Sequence, residues 1–320
     1  MALALHFAED MIATAPCTQT STLKVSVGFA SYPDLRRASH DAAEMAKAGL
    51  GASQCRLALL VTAGLTGDEP TRSVKGVLGP VGIAGGSAAA LLTEHGIMRE
   101  GALVIALATE GDAESGAAAV PARDSGEAGS RAARIILAGW PFRLRYPRGL
   151  GLAFASEGSP LAFLDTWREF MGPKMRTVCG VLNGPLHGSS TERPVASVAC
   201  LEASYATGLG YAEGFVGEDA PEPARLIHGA AEATMTAVKR LDERSAKLVL
   251  VFESAAREKA LGAAANEEWA RVQAAAGDRA PCVGWLCESV AGYGRGIQPA
   301  NDPRALLVAA IGDPPANPNA

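Results

Sequence analysis

Long apolar runs are missing from this chain. Nothing in its 320 residues approaches the roughly 18 uninterrupted apolar positions of a membrane helix, so a helical membrane span is excluded. An excess of positive charge is missing too: 29 Lys and Arg against 34 Asp and Glu give a formal net charge of -5. The basic residues are scattered apart from a small cluster at Arg143, Arg145 and Arg148, so there is no basic face for nucleic acid or an anionic membrane. The N-terminus carries Glu9 and Asp10 where a secretory signal would carry basic residues, and a cytoplasmic protein is expected. The six cysteines, at 17, 55, 179, 200, 282 and 287, include several inside apolar strand-like runs, which predicts reduced buried thiols and no disulfide framework. Cys282 and Cys287 have no second Cys or His pair at metal-ligand spacing, so no metal site is assigned.

What is present is repetition. Hydrophobic residues make up 48% of the chain, enough for a substantial core, and they recur in an ordered series. In the first half, Lys24 to Phe29 leads to an Ala-rich helix containing His40-Asp41-Ala42-Ala43-Glu44. Leu57 to Val61, Val81 to Gly86 and Leu103 to Leu107 follow. The second half returns Gly208 to Phe215, a helix with His228-Gly229-Ala230-Ala231-Glu232, then Leu248 to Phe252, Val283 to Glu288 and Leu306 to Ala310. Two such halves predict packing about a pseudo-two-fold axis, with a ligand in the cleft between them.

The boundaries follow from this series. Residues 1–22 read as a loose lead-in, 23–205 as a first module, 206–313 as a second, and 314–320 as a disordered Pro/Asn-rich tail. Ser31 and Asp34 form a capping box for a helix ended by Gly49 and Gly51, and residues 66–77 read as a polar loop. The Ala, Gly, Ser and charge of 110–131 show no periodicity and predict a flexible insertion or a weak surface helix. A middle section follows, with a strand at Gly151 to Ala155, a helix capped by Ser159 with Pro160 at its first position, and strands at Thr177 to Leu182 and Pro194 to Leu201. A further helix spans Ala255 to Ala276, with Glu267 and Glu268 on its exposed side.

The ordered series resembles a FIST domain. The first strand, the Ser-x-x-Asp-capped helix with Ala-Ala, the apolar strand and Val81-Gly82 with Gly85-Gly86 look like its N-terminal module. Leu248 to Phe252 followed by Glu253-Ser254-Ala255-Ala256-Arg257, then Leu261-Gly262, Pro281 to Trp285 and Glu288, look like its C-terminal module. The resemblance implies an α/β fold with mixed sheets flanked by helices, and an intracellular sensory protein that binds a small molecule and passes that state to a protein partner. Some members resembling nitric-oxide sensors carry haem through a histidine, and here that role would fall to His228 or His187.

Individual residues narrow the site. His40 has Arg36, Arg37 and Glu44 as helical neighbours and reads as a surface residue, whereas His228 straddles the polar boundary and is a natural partner for Glu232. His187 lies in a Gly- and Ser-rich loop where backbone amides and Ser189 converge on an anion or carbonyl. Gly85 and Gly86 allow close approach at a strand end, without the spacing of a dinucleotide fingerprint. Glu253 and Arg257 sit where a buried strand ends, a common place for ligand contacts in α/β sheets. The expected ligand site therefore comprises Gly85, Gly86, His187, Ser189, Glu253, Arg257 and Glu288, with Arg257 holding an anionic group and Glu288 a cationic one. No catalytic residue is assigned. An enzyme on the same frame would show a histidine hydrogen-bonded to a carboxylate or thiol in a deep cleft. A purely structural subunit would have its inter-repeat cleft filled by side chains.

Overall fold

The computed structural model describes residues 23–64, 69–109, 114–140, 149–188, 193–202, 206–215, 221–242, 244–294, 297 and 302–313. Its architecture is α/β, with three mixed sheets flanked by helices, and it is internally repeated. The copies number three. The first comprises β1 (Leu23–Ala30), α1 (Leu35–Leu50), β2 (Leu57–Ala63), α2 (Glu69–Leu78), β3 (Gly82–Ala88), the short β4 (Leu91–Thr93) and β5 (Gly96–Met98), and β6 (Gly101–Thr109). The second has β7 (Glu114–Val120), α3 (Ser125–Gly139), β8 (Gly149–Ala155), α4 (Pro160–Met171), β9 (Met175–Val181), the short β10 (Leu186–His187) and β11 (Ala196–Glu202). The third has β12 (Thr207–Ala212), α5 (Pro223–Lys239), β13 (Ala246–Ser254), α6 (Ala255–Leu261), α7 (Ala265–Ala276), β14 (Cys282–Cys287), β15 (Ser289–Tyr293) and β16 (Leu306–Gly312). In every unit the last long strand lies between the first two, antiparallel to both, and the second and third long strands run parallel. The stretch that reads as a middle section between two halves is thus the core of a copy in its own right.

The units are joined by exchange. Each gives the strand that follows its third long strand to another unit's sheet. β4 of the first pairs with β14 of the third (Leu91 opposite Trp285), β10 of the second with β3 of the first (Leu186 opposite Gly86), and β15 of the third with β9 of the second (Val290 opposite Gly180). Donor and acceptor follow one another around a closed ring, which shields one edge of each sheet from solvent pairing.

Strand alternation decides what fills the centre. Leu57, Leu59 and Val61, Leu150, Leu152 and Phe154, and Leu248, Leu250 and Phe252 face inward into one shared core, while alternate residues such as Leu60, Ala153 and Val251 face the helices. The ladders make Val61, Phe154 and Phe252 equivalent, and they lie opposite Gly86, Gly180 and Trp285. One large side chain thus stands against two glycines at three matched positions. The Trp285 ring packs 5.4 Å from Phe154 and 4.6 Å from Phe252. A Cβ at Gly180 would fall 2.6 Å from Cys287 Sγ, and one at Gly86 would fall 2.8 Å from Leu182 and Leu186. The space between units is occupied by apolar side chains, so the cleft expected between repeats is a packed core among the described residues.

Several local expectations change. Asp34, not Ser31, caps α1: its Oδ1 accepts from the amides of Arg36 and Arg37, while Ser31 Oγ donates to Glu100 O. Part of 66–77 is α2, whose Pro70, Val74 and Val77 form its buried face. Within 110–131, residues 114–120 form β7 and a helix starts at Ser125; residues 110–113 lie outside the described set. The helix expected over 255–276 is broken by a 3-10 turn at Gly262–Ala264.

Candidate functional site

β1, β2 and β3 run parallel, so their C-terminal ends and the first turns of α1 and α2 share one end of the first unit, where α/β sheets bind ligands. At the last helix-facing rung of the second strand, the three units carry Thr62, Ala155 and Glu253. Two of these are polar, and each anchors a buried cluster.

In the first unit, His187 pairs with Gly85 across β10 and β3, and its Nε2 lies 3.1 Å from Thr62 Oγ1. Ser197 Oγ donates to His187 O at 2.5 Å and accepts from Gly85 N at 3.2 Å, tying the ladder to the second unit. Burial pulls the His187 pKa down from 6.5 to about 4, so the imidazole is neutral at physiological pH. Thr62 is fully buried and His187 is 3% exposed, so the two polar groups satisfy each other inside the fold.

In the third unit, Arg257 is fully buried and spends its guanidinium on the fold. Nε and Nη2 donate to the Glu268 carboxylate at 2.9 to 3.1 Å, Nη1 to Glu213 O and Arg304 O, and Nη2 also to Leu226 O. All five N–H groups are engaged, so the expected role of holding an anionic ligand has no donor left to perform it. Glu268, expected on an exposed face, is 1% exposed because Arg257 meets it across the turn at Gly262. Glu253 is the second buried carboxyl beside a single arginine. Burial first, then the Glu268 charge, holds its pKa well above the usual carboxylate range, so it keeps its proton.

The expected ligand residues therefore do not converge. Gly85, Gly86 and His187 sit together in the first sheet, and Glu253 and Arg257 sit behind the third. Glu288 is exposed after β14, where its amide donates to Val181 O, and Ser189 lies outside the described residues. His228 is a surface residue whose Nε2 lies 3.3 Å from Glu232, with a side chain 74% exposed. Haem needs an apolar slot around its axial histidine; His228 stands in solvent and His187 presents its Nε2 to Thr62, so neither fits. The two Ala-Ala histidines are not structural counterparts either. A Cβ on Gly28 would meet Ala42 O and one on the equivalent Gly210 would meet Ala233 O, which aligns His228 with Arg37 rather than His40. Burial, together with the neighbouring Cys179 and Glu253, pushes the Cys287 thiol far up, and burial takes Cys282 to about 12, so neither is a nucleophile.

The helix layer is packed in all three units. In the second, α3 and α4 are sealed: a Cβ at Gly129 would lie 2.4 Å from Phe163 O, and Thr166 Oγ1 donates to Gly126 O at 2.6 Å. In the third, α5 is sealed to α6 and α7 through Arg257 and the packing of Leu226, Ile227, Leu261 and Ala265. In the first, α1 and α2 also pack directly on each other and border a groove of about 480 Å³, lined by Asp34, Arg36, Arg37, His40, Asp41, Arg72 and Ser73. Sequence reasoning missed it because Arg72 and Ser73 fall in the stretch read as a loop. The spacing of Pro70, Val74 and Val77, four and then three residues apart, is the signal that marks that stretch as a helix.

Among the described residues, no helix is long and apolar enough to cross a membrane, and no group of three or more His, Cys, Asp or Glu stands together to hold a metal. Neither a family model nor a curated relative matches the chain. Among solved structures, a cyanuric acid hydrolase is similar over 92% of this chain and 100% of its own, at 10% identity and a TM-score of 0.45. Phosphoribosylformylglycinamidine synthase II from Thermotoga maritima is similar over 92% of this chain and 72% of its own, at 8% identity and a TM-score of 0.31. At such scores the likeness bears on neither ligand nor reaction.

Proposed function

We propose that the protein binds a small ligand in the groove between α1 and α2 and passes that state to a protein partner, in the manner of the FIST-type sensory proteins its sequence resembles. One observation carries the reading: α1 and α2 border a groove of ligand size, about 480 Å³, at the strand-end side of the first unit, with Asp34, Arg36, Arg37, His40, Asp41, Arg72 and Ser73 along it. Binding is favoured over catalysis because the histidine buried at the strand ends meets a threonine hydroxyl, not a carboxylate or thiol. The test is a thermal-shift screen of the purified chain against a metabolite library, run beside Ser73→Trp, which fills the groove. A ligand that raises the melting temperature of the wild type and not of the variant is expected. Ligands that stabilise both alike, or none that stabilises the wild type, would overturn the proposal.

A further inference from the structure

We infer that the group recognised in this groove is an oxyanion, a carboxylate or phosphate, clamped between Arg36 of α1 and Arg72 of α2. The inference rests on the groove being the binding site. Its lining holds three arginines against two aspartates, a local excess of positive charge in a chain whose net charge is -5. The aspartates are already committed. Asp34 Oδ1 accepts from the amides of Arg36 and Arg37 at 2.9 and 3.2 Å, which also occupies the N-terminal amides of α1 that an anion would otherwise use. Asp41 lies 3.8 Å from Arg37 Nε and 3.3 Å from His40 Nδ1, and the Arg37 guanidinium sits 4.5 Å over the Tyr32 ring.

Arg36 and Arg72 remain. Both are exposed, and among the described residues neither side chain has a hydrogen bond or ion pair. At the junctions of the other two helix pairs the polar groups are spent on carbonyls and on Glu268; here a guanidinium from each of two helices lines one groove. A guanidinium fork matches the two oxygens of a carboxylate or phosphate and gains most from a bidentate contact. A cationic or wholly apolar ligand would leave both forks unanswered.

The experiment is titration calorimetry with succinate, citrate and inorganic phosphate. Vesicles of phosphatidylcholine containing phosphatidic acid serve as a second arm, separating a free anion from a lipid headgroup. At least one probe should bind, and Arg36→Ala and Arg72→Ala should each weaken it about tenfold or more. Arg72→Lys, which keeps the charge and loses the fork, should recover only part of that loss. Binding to vesicles alone would assign the oxyanion to a headgroup and leave the chemistry intact. Probes that do not bind, or that bind both alanine variants as tightly as the wild type, overturn the inference. If a library ligand is lost in Ser73→Trp yet retained in both arginine variants, the groove stands and the oxyanion falls; if Ser73→Trp retains it too, both fall.

Discussion

Acid should destabilise this fold through a single imidazole. His187 is 3% exposed, faces Thr62 Oγ1 through Nε2, and has its pKa drawn from 6.5 down to about 4 by burial. Between those values the unfolded chain binds a proton that the folded chain refuses, so stability falls as pH drops through the window. For one such group, linkage gives a loss of about 2.5 kcal/mol on going from about pH 7.5 to about pH 4.5. His187→Gln keeps a polar group in reach of Thr62 and has nothing to titrate. It should cost stability near neutrality and then lose about 2.5 kcal/mol less than the wild type on acidification. Urea unfolding of both proteins at the two pH values reads this directly. The exchanged strands couple the three sheets, and coincident transitions by two probes check that one midpoint reports on the whole chain. Equal acid losses in the two proteins would refute the reasoning, because His187 would then accept its proton in the folded state at no cost.

Glu253 titrates with the opposite sign. Its folded pKa is raised, so the fold holds a proton that the unfolded chain releases, and stability falls as pH rises above the ordinary carboxylate range. Glu253→Gln should gain on the wild type by up to about 1.4 kcal/mol per pH unit between about pH 5 and the folded pKa. A pH-independent difference in denaturation midpoints would mean that Arg257 serves Glu253 as well as Glu268. At the centre of the core, Trp285→Ala should cost about 3–5 kcal/mol in the same assay, since the matched positions are glycines with no side chain to fill the space. A cost below about 1 kcal/mol would show that Phe154 and Phe252 close over the gap.

Much of this fold could be read in the sequence where burial is two-sided. Leu57 to Val61, Leu248 to Phe252 and Leu306 to Ala310 are apolar on both faces because sheets cover one side and helices the other, and such runs announce themselves. The middle copy hid because its opening strand, Glu114–Val120, is built of Glu, Ser, Gly, Ala and Val on a sheet edge, where weak strand formers are tolerated. Its helix had a readable start. Asp124 Oδ1 accepts from Glu127 N at 2.8 Å and Glu127 Oε2 accepts from Arg123 N at 3.0 Å, a reciprocal cap written as Asp-x-x-Glu. The site was less readable for a plainer reason. Arg257 and Glu253 look like ligand contacts in one dimension, and only the fold shows that Glu268 and three carbonyls consume the arginine first. Arg36 and Arg72 look like solvated surface until two helices bring them to one groove.

The ring of exchanged strands also bears on how the chain comes to be folded. β4 emerges early in synthesis, yet its partner β14 is among the last elements made, so the hairpin of β4 and β5 waits for nearly the entire protein before it finds its sheet. Contacts of such sequence separation are slow to form and leave strand edges open in the meantime. The first sheet, too, stays incomplete until β10 of the second unit arrives. The nascent chain therefore passes through a stretch of exposed edges that only the final unit closes, and an arrested or truncated product should aggregate rather than persist as a smaller domain.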